Sequence, residues 1–332
     1  MAVDTNTTDP SYWLNWRFLV SALLVLGIVI FSLYLIWKHE GKRKSDGEVR
    51  ECRQVPDGVL YKDELLKTCL KCIHPIWLLL FRILAFGVLL ALIVGNTVAD
   101  GPGIFYFYTQ WTFTITTLYF GLASAFSIVG FCQNCDRTRH ITDASPNIDA
   151  ELGSNVVPKT GSSHDAPNFR DTSNHGEVHV RQTAGFIGYL FQILYQVVAG
   201  AVILTDIVYW LVLYAIFTPK NSKLEFFNVC MHTVNVLILG DTVLNCMRFP
   251  MFRIAYFILW TSTFVVCQWI IHAFISIRWP YPFMDLSPPY APLWYAAIGL
   301  LLVLCFGFFA LVVKLKHVWL SRSFSDSYQG LR

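Results

Sequence analysis

Charged residues are scarce in this chain. Asp, Glu, Lys and Arg account for 14% of its 332 residues, whereas a typical soluble globular chain has about 25%. This shortage argues against a soluble globular protein. No nucleic-acid-binding motif occurs either, so we expect no nucleic-acid partner. The N-terminal tail, residues 1–15, contains no Lys or Arg. Without a basic region before it, the first apolar run is interpreted as a retained anchor rather than a signal peptide.

Hydrophobic residues make up 55% of the chain and gather in long runs. A run of about 20 apolar residues is long enough for a helix to cross a bilayer. Seven such runs occur, at residues 16–37, 76–95, 104–131, 184–217, 226–247, 254–277 and 293–313. The pattern predicts an all-α integral membrane protein folded as a seven-helix bundle, with membrane lipid as its surroundings.

Lys and Arg lie almost entirely in one set of loops. Twenty of them fall in residues 38–74, 132–184, 248–253 and 314–332, whereas the opposite loops contain three, with Arg17 a fourth at the outer end of the first run. Cytosolic loops carry such an excess of positive charge. We therefore predict an outer or lumenal N-terminus, a cytosolic C-terminus, and a plasma-membrane or endomembrane location.

The polar segments divide the chain into an ordered series of regions. Residues 132–184 are rich in Asp, Asn, Ser, Gly and Pro, a composition typical of disorder. The predicted organisation is an outer tail (1–15), a first span (16–37), a basic cytosolic loop (38–74), a membrane block (75–131), a disordered cytosolic loop (132–184), a second membrane block (185–313) and a cytosolic tail (314–332).

A line of threonines marks the third run. Residues 105–127, FYFYTQWTFTITTLYFGLASAFS, are apolar, yet Thr109, Thr112 and Thr116 share one helix face by their spacing. Lipid offers hydroxyl groups no partner, so this face is expected to turn towards protein, water or a substrate. Hydrogen bonding between helices and contact with a substrate both fit the pattern.

Three side chains that could take part in catalysis are predicted to lie at the same depth in the membrane. With the orientation above, Thr109, His232 and His272 each lie roughly 8–9 Å below the outer boundary at 1.5 Å per residue. A hydroxyl and an imidazole at the same level are what a nucleophile and its general base require. Thr109 and His232 are therefore the candidate catalytic pair, with Thr112 as an alternative nucleophile.

Further polar residues accompany these three. Asn235 shares a face with His232, Gln268 shares one with His272, and Asp206 lies in the fourth run. Ionisable groups inside a membrane are costly and are often functional. The candidate substrate-binding residues are His272, Asn235, Thr112, Gln268 and Asp206. The alternative is that they only join helices through hydrogen bonds.

Four cysteines form two pairs near the predicted cytosolic surface. Cys69 and Cys72 precede the second run, and Cys132 and Cys135 follow the third. Paired C-x-x-C is a spacing of structural zinc sites, and cysteines next to a membrane are equally suited to S-acylation. Apart from such a structural zinc ion, no cofactor is expected.

Three stretches resemble a known family. The sequences YTQWTFTITTLYFG, NVCMHTVNVLIL and WIIHAFISIRWPYPF look like the androgen-induced family of multi-span hydrolases. The resemblance covers about residues 75–313. It implies a six-helix core, with residues 16–37 as an added helix. It also implies cleavage of fatty acid esters of hydroxy fatty acids by an intramembrane Thr and His, which match Thr109 and His232.

The chain also resembles the rolling-stone-related membrane proteins and their plant relatives, a group linked to myoblast fusion without an assigned reaction. That resemblance implies a non-enzymatic scaffold or adhesion protein. A transporter is a third alternative, since Asp206, Asp241 and the glutamines of the fourth run are polar groups within apolar runs. The sequence does not indicate an oligomeric state.

Overall fold

The computed structural model describes residues 6–40, 60–143, 183–217 and 226–329. Most of the predicted disordered loop at 132–184 lies outside these ranges. Within them, seven stretches are helical, long and apolar enough to cross a membrane. This confirms the prediction of an all-α multi-pass membrane bundle.

The helices follow the predicted runs, with two long extensions. The third membrane-crossing helix continues to Asp143, so residues 132–143 of the predicted disordered loop are helical, and the last one continues to Ser323, into the predicted cytosolic tail. The helices are α1 (Pro10–Trp13), α2 (Trp16–Glu40), α3 (Lys62–Leu66), α4 (Pro75–Asp100), α5 (Tyr108–Asp143), α6 (Phe186–Ile207), α7 (Phe226–Met231), α8 (Leu237–Leu244), α9 (Ile254–Phe274) and α10 (Ala291–Ser323). A π-helical segment, Val208–Phe217, extends α6. The membrane-crossing units are α2, α4, α5, α6, the pair α7–α8, α9 and α10.

The turn between α4 and α5 brings the threonine face into position. Gly101 ends α4 with a φ of 80°, a backbone conformation that glycine adopts without strain. The chain then forms a 3-10 turn, Pro102–Tyr106, before α5 begins. Thr109 therefore lies in the first turn of α5.

Helix α6 lies at the centre of the bundle. It packs against α5 on one side and against α9 and α10 on the other. Gly200 of α6 faces the ring of Phe257 so closely that an added Cβ would lie 2.7 Å from it. Helix α4 pairs with α5 and contacts α7 and α8, whereas α2 packs against α9 and α10. The first membrane-crossing helix thus lies beside the last two spans.

The fifth span is broken rather than continuous. The apolar run at 226–247 predicted one helix, but α7 ends at Met231, and a 3-10 turn, Val234–Val236, precedes α8. His232 falls at the break, where its backbone N–H donates to Asn228 O at 3.3 Å. The break allows the polar side chains of this segment to turn towards α6.

Short backbone bridges close the predicted cytosolic end. Thr68 pairs with Asn245, and Leu70 pairs with Tyr328 close to the C-terminus. The Gln329 N–H donates to Cys69 O at 2.9 Å. The segment before α4 is thereby joined to the ends of α8 and of the whole chain.

Candidate functional site

Thr109 lies beside a buried tyrosine hydroxyl. The first N–H groups of a helix have no partner within it, and the Thr109 N–H donates to the Tyr281 hydroxyl at 3.4 Å. Tyr281 belongs to the loop between α9 and α10 and is buried. Burial raises the pKa of its phenol. Tyr281 therefore keeps its proton at neutral pH and can act as a hydrogen-bond donor.

A cavity opens next to Thr109. Its walls come from α2, α5, α6 with its π-helical extension, α9, α10 and the turn Pro282–Met284. It encloses about 850 Å³ of empty space, part of which is open to the surroundings. None of the described residues that line it is charged. Its polar side chains are hydroxyls of Tyr, Thr and Ser together with the indole of Trp294.

His232 is held in a polar cluster behind this cavity. Its Nδ1 lies 3.3 Å from Asp206 Oδ1, and the Asn235 side-chain amide donates to the same oxygen at 2.7 Å. His232 is 6% exposed. The structure thus brings together three of the residues selected from sequence. Because a carboxylate accepts the hydrogen bond, Nδ1 carries the proton and Nε2 is left as the basic nitrogen.

Tyr209 lies between the cavity beside Thr109 and the polar cluster that contains His232. Its ring stacks on the His232 ring with centroids 3.8 Å apart, and it also borders the cavity. His232 itself is not among the residues that line the cavity. Within the described residues, Thr109 and His232 share no hydrogen bond. Their sequence neighbours do meet, since the Gln110 amide donates to the Met231 sulfur at 2.9 Å.

His272 and Gln268 belong to a separate cluster near the predicted outer surface. His272 Nδ1 donates to Gln268 O at 2.8 Å, and its Nε2 lies 3.0 Å from the Tyr106 hydroxyl. Its ring stacks on Trp279 with centroids 3.6 Å apart. The Gln268 amide donates to Tyr106 O at 3.0 Å. His272 and Gln268 therefore hold the turn before α5 in place through Tyr106, which is three residues from Thr109.

Most threonines of α5 bond within their own helix. Thr116 Oγ1 donates to Thr112 O at 2.7 Å, and Thr114 and Thr117 likewise bond carbonyls four residues earlier. Thr112 is buried, and its hydroxyl has no partner among the described residues. Thr112 does not line the cavity. Of the line predicted from sequence, only Thr109 faces the cavity.

The four paired cysteines have different surroundings. Cys69 is buried, whereas Cys72 and Cys132 are exposed. The side chain of Cys135 lies outside the described residues. No group of three or more His, Cys, Asp or Glu side chains in the described ranges is placed to hold a metal ion. Cys69 Sγ donates to Asn245 O at 2.8 Å and packs against Cys246.

A buried ion pair was not predicted from the sequence. Arg82 Nε and Asp241 Oδ1 are 2.6 Å apart, and both side chains are fully buried. Tyr119 donates its hydroxyl proton to Asp241, and the Asn245 amide donates to the same carboxylate at 2.9 Å. The sequence did offer one signal for this pair, because Arg82 and Asp241 carry opposite charges and each lies within an apolar run. The cluster joins α4, α5 and the end of α8, away from His232.

Comparisons with known proteins give no relative for this chain. No protein-family model, no curated protein and no solved structure matches it.

Proposed function

We propose that the protein binds a lipid in the cavity beside Thr109 and hydrolyses an ester bond of that lipid. The observation that carries the proposal is the position of Thr109, which lies next to the Tyr281 hydroxyl at the wall of an uncharged cavity within the membrane bundle. The resemblance to the androgen-induced hydrolases selects the same threonine as the nucleophile.

In the proposed reaction, Thr109 Oγ1 attacks the ester carbonyl carbon and His232 Nε2 takes its proton. The alcohol leaves with a proton from His232, and the resulting acyl-enzyme is cleaved by water activated by the same imidazole. Asp206 keeps the proton on Nδ1, as the carboxylate does in catalytic triads. The Tyr281 hydroxyl donates to the oxyanion, a contribution of about 3 kcal/mol in comparable sites.

The stacked ring of Tyr209 sets a condition on this reaction. Since Thr109 and His232 share no direct hydrogen bond, the proton passes through one bridging water or after the Tyr209 ring shifts. Catalytic hydrogen bonds often tighten only when substrate binds. The proposal therefore includes either a bridging water or a shift of the Tyr209 ring when the substrate binds.

Substitution of the catalytic pair tests the proposal. His232→Ala is expected to lower kcat/KM for a lipid ester by about 10²–10⁴-fold, the usual contribution of a general base, and Thr109→Ala, which removes the nucleophile, by at least as much. Hydrolysis is measured with purified protein in lipid discs, using a panel of lipid esters. The matched control is Thr114→Ala, which removes a hydroxyl that bonds only its own helix. Folded wild-type protein that cleaves no ester in the panel refutes the hydrolase.

A non-enzymatic lipid-binding scaffold is the second candidate. The observation that favours it is the Tyr209 ring, which covers one face of His232 and separates it from the cavity. This candidate predicts lipid binding without turnover, and the same binding in His232→Ala as in the wild type. It agrees with the resemblance to the rolling-stone-related proteins.

A further inference from the structure

We infer that the cavity accepts an uncharged, oxygen-bearing lipid with a single chain, such as a long-chain alcohol or a neutral acyl ester, and excludes lipids with ionised head groups. The inference rests on the proposed function in that it names the ligand class of the same cavity. It does not require that the ligand be hydrolysed.

The walls of the cavity offer nothing to neutralise a charge. No Lys, Arg, His, Asp or Glu is among the described residues that line it. Placing an unpaired ion in such surroundings within a membrane costs several kcal/mol or more. Two carboxylates directly follow lining residues in the sequence. Asp206 follows Thr205 and already accepts bonds from His232 and Asn235. Asp285 follows Met284 and accepts a bond from the Tyr12 hydroxyl. Carboxylates at these positions further disfavour an anionic lipid.

An unpaired hydroxyl on the cavity wall, that of Ser262, favours a ligand that carries an oxygen atom. Ser262 of α9 lines the cavity and is 5% exposed. It has no hydrogen-bond partner within the described part of the chain. Leaving such a group unpaired costs about 1–3 kcal/mol, and a ligand hydroxyl or ester oxygen would satisfy it. Its neighbour Thr261 differs, because its hydroxyl lies 2.9 Å from that of Tyr108.

The dimensions of the cavity suit one lipid chain. Along α10 the lining extends from Trp294 to Leu302, and it also includes Val25 and Ile28 near the middle of α2. From Trp294 to Leu302 the helix rises roughly 12 Å, somewhat less than half the 30 Å thickness of the hydrocarbon layer.

This ligand class differs from the one that the family resemblance implies. A fatty acid ester of a hydroxy fatty acid has a free carboxylate, for which the described lining provides no cation. A neutral ester has the same scissile bond without that charge. The cavity therefore favours neutral esters over the acidic substrates of the resembling family.

Two photoreactive lipids that differ only in an ionised phosphate group test the inference. One is a monoacylglycerol with a diazirine in its chain, and the other is the matching lysophosphatidate. Each is cross-linked to purified full-length protein in lipid discs, and labelled peptides are quantified by mass spectrometry. We expect labelling of cavity peptides to be about tenfold stronger for the monoacylglycerol, equivalent to about 1.4 kcal/mol. Equal or stronger labelling by the lysophosphatidate overturns the inference.

Two glycines of α10 provide a matched pair of variants. Gly299 lines the cavity, Gly307 does not, and an added Cβ at either position meets no atom within 4 Å. Gly299→Leu fills the cavity and is expected to reduce monoacylglycerol labelling about tenfold. Gly307→Leu makes the same change in helix propensity and is expected to label like the wild type. Unchanged labelling in Gly299→Leu overturns the inference.

Binding and hydrolysis are separated by His232→Ala, because His232 is the proposed base but does not line the cavity. This variant is expected to keep the labelling of the wild type and lose turnover. Selective labelling by the neutral lipid in a wild-type protein without esterase activity would reject the hydrolase and keep the neutral-lipid site. Turnover of anionic esters together with cross-linking of the lysophosphatidate would reject the neutral-lipid site and keep the hydrolase.

Discussion

Arg82 and Asp241 form a fully buried ion pair within the predicted membrane region. Removing two charges from water is costly, and the pair is acceptable only because other groups complete its hydrogen bonds. Ser127 accepts from Arg82 Nη1 at 2.8 Å, while Tyr119 and Asn245 donate to the carboxylate. Each member of the pair is stabilised by the other, so losing one leaves an uncompensated charge.

Single and double substitutions of this pair have opposite expected outcomes. Asp241→Ala is expected to lower the free energy of unfolding by about 3–5 kcal/mol, because Arg82 stays buried without its partner. The double variant Arg82→Met with Asp241→Leu is expected to recover most of that loss. Unfolding of purified protein in detergent measures both. A double variant no more stable than the single one contradicts the account.

The polar residues of the candidate site could be identified from sequence, but their arrangement could not. Asp206, His232 and Asn235 stand out because polar groups within apolar runs need partners. Tyr209 gave no comparable signal, since aromatic residues are frequent throughout the chain, and Tyr281 stood out only as part of a stretch that resembles a known family. Their roles depend on how the helices lie beside one another, which the periodicity of one helix does not specify. For the same reason, the pairing of Arg82 with Asp241 was not predicted.

The close contact between α6 and α9 depends on a glycine, which has no side chain to keep the two helices apart. Gly200 allows the ring of Phe257 to lie against the α6 backbone, and that ring is itself fully buried. Lengths and positions of the spans were predictable because hydrophobic runs determine them. This contact and the break at His232 were not, because both depend on neighbouring helices.

Two glycine substitutions test the contact. Gly200→Ala is expected to destabilise the protein by about 1–3 kcal/mol, the usual cost of overpacking. Gly87→Ala, at an exposed position in the middle of α4 with no atom near its added Cβ, is expected to be neutral or to stabilise by up to about 1 kcal/mol. Thermal unfolding of the two purified variants compares them directly. Equal stability of the two variants contradicts a close α6–α9 contact.

The whole molecule presents different cysteines to different environments. Cys72 and Cys132 are exposed at the end predicted to face the cytosol, whereas Cys69 and Cys246 are buried. Helix α2 contributes Val25 and Ile28 to the cavity wall, so the first membrane-crossing helix closes part of the cavity.

The predicted orientation is testable by thiol labelling in cells that display the protein at their surface. A membrane-impermeant maleimide is expected to label Cys72 and Cys132 only after permeabilisation, because twenty Lys and Arg place their side in the cytosol. Thr8→Cys, at an exposed position near the N-terminus, is expected to label without permeabilisation. Labelling of Cys72 in intact cells indicates the reverse orientation.

The bridge between Leu70 and Tyr328 has a consequence for the order of events during synthesis. Residues near position 70 leave the ribosome long before residue 328 is made. Their final partner is therefore absent while the six later membrane-crossing units are inserted. The Lys71 N–H, which donates to Ser327 O at 2.8 Å in the finished protein, is paired only after residue 327 has been made. A chain that stops between the end of α10 at Ser323 and residue 327 would contain every membrane-crossing unit of the structure and leave this end unclosed.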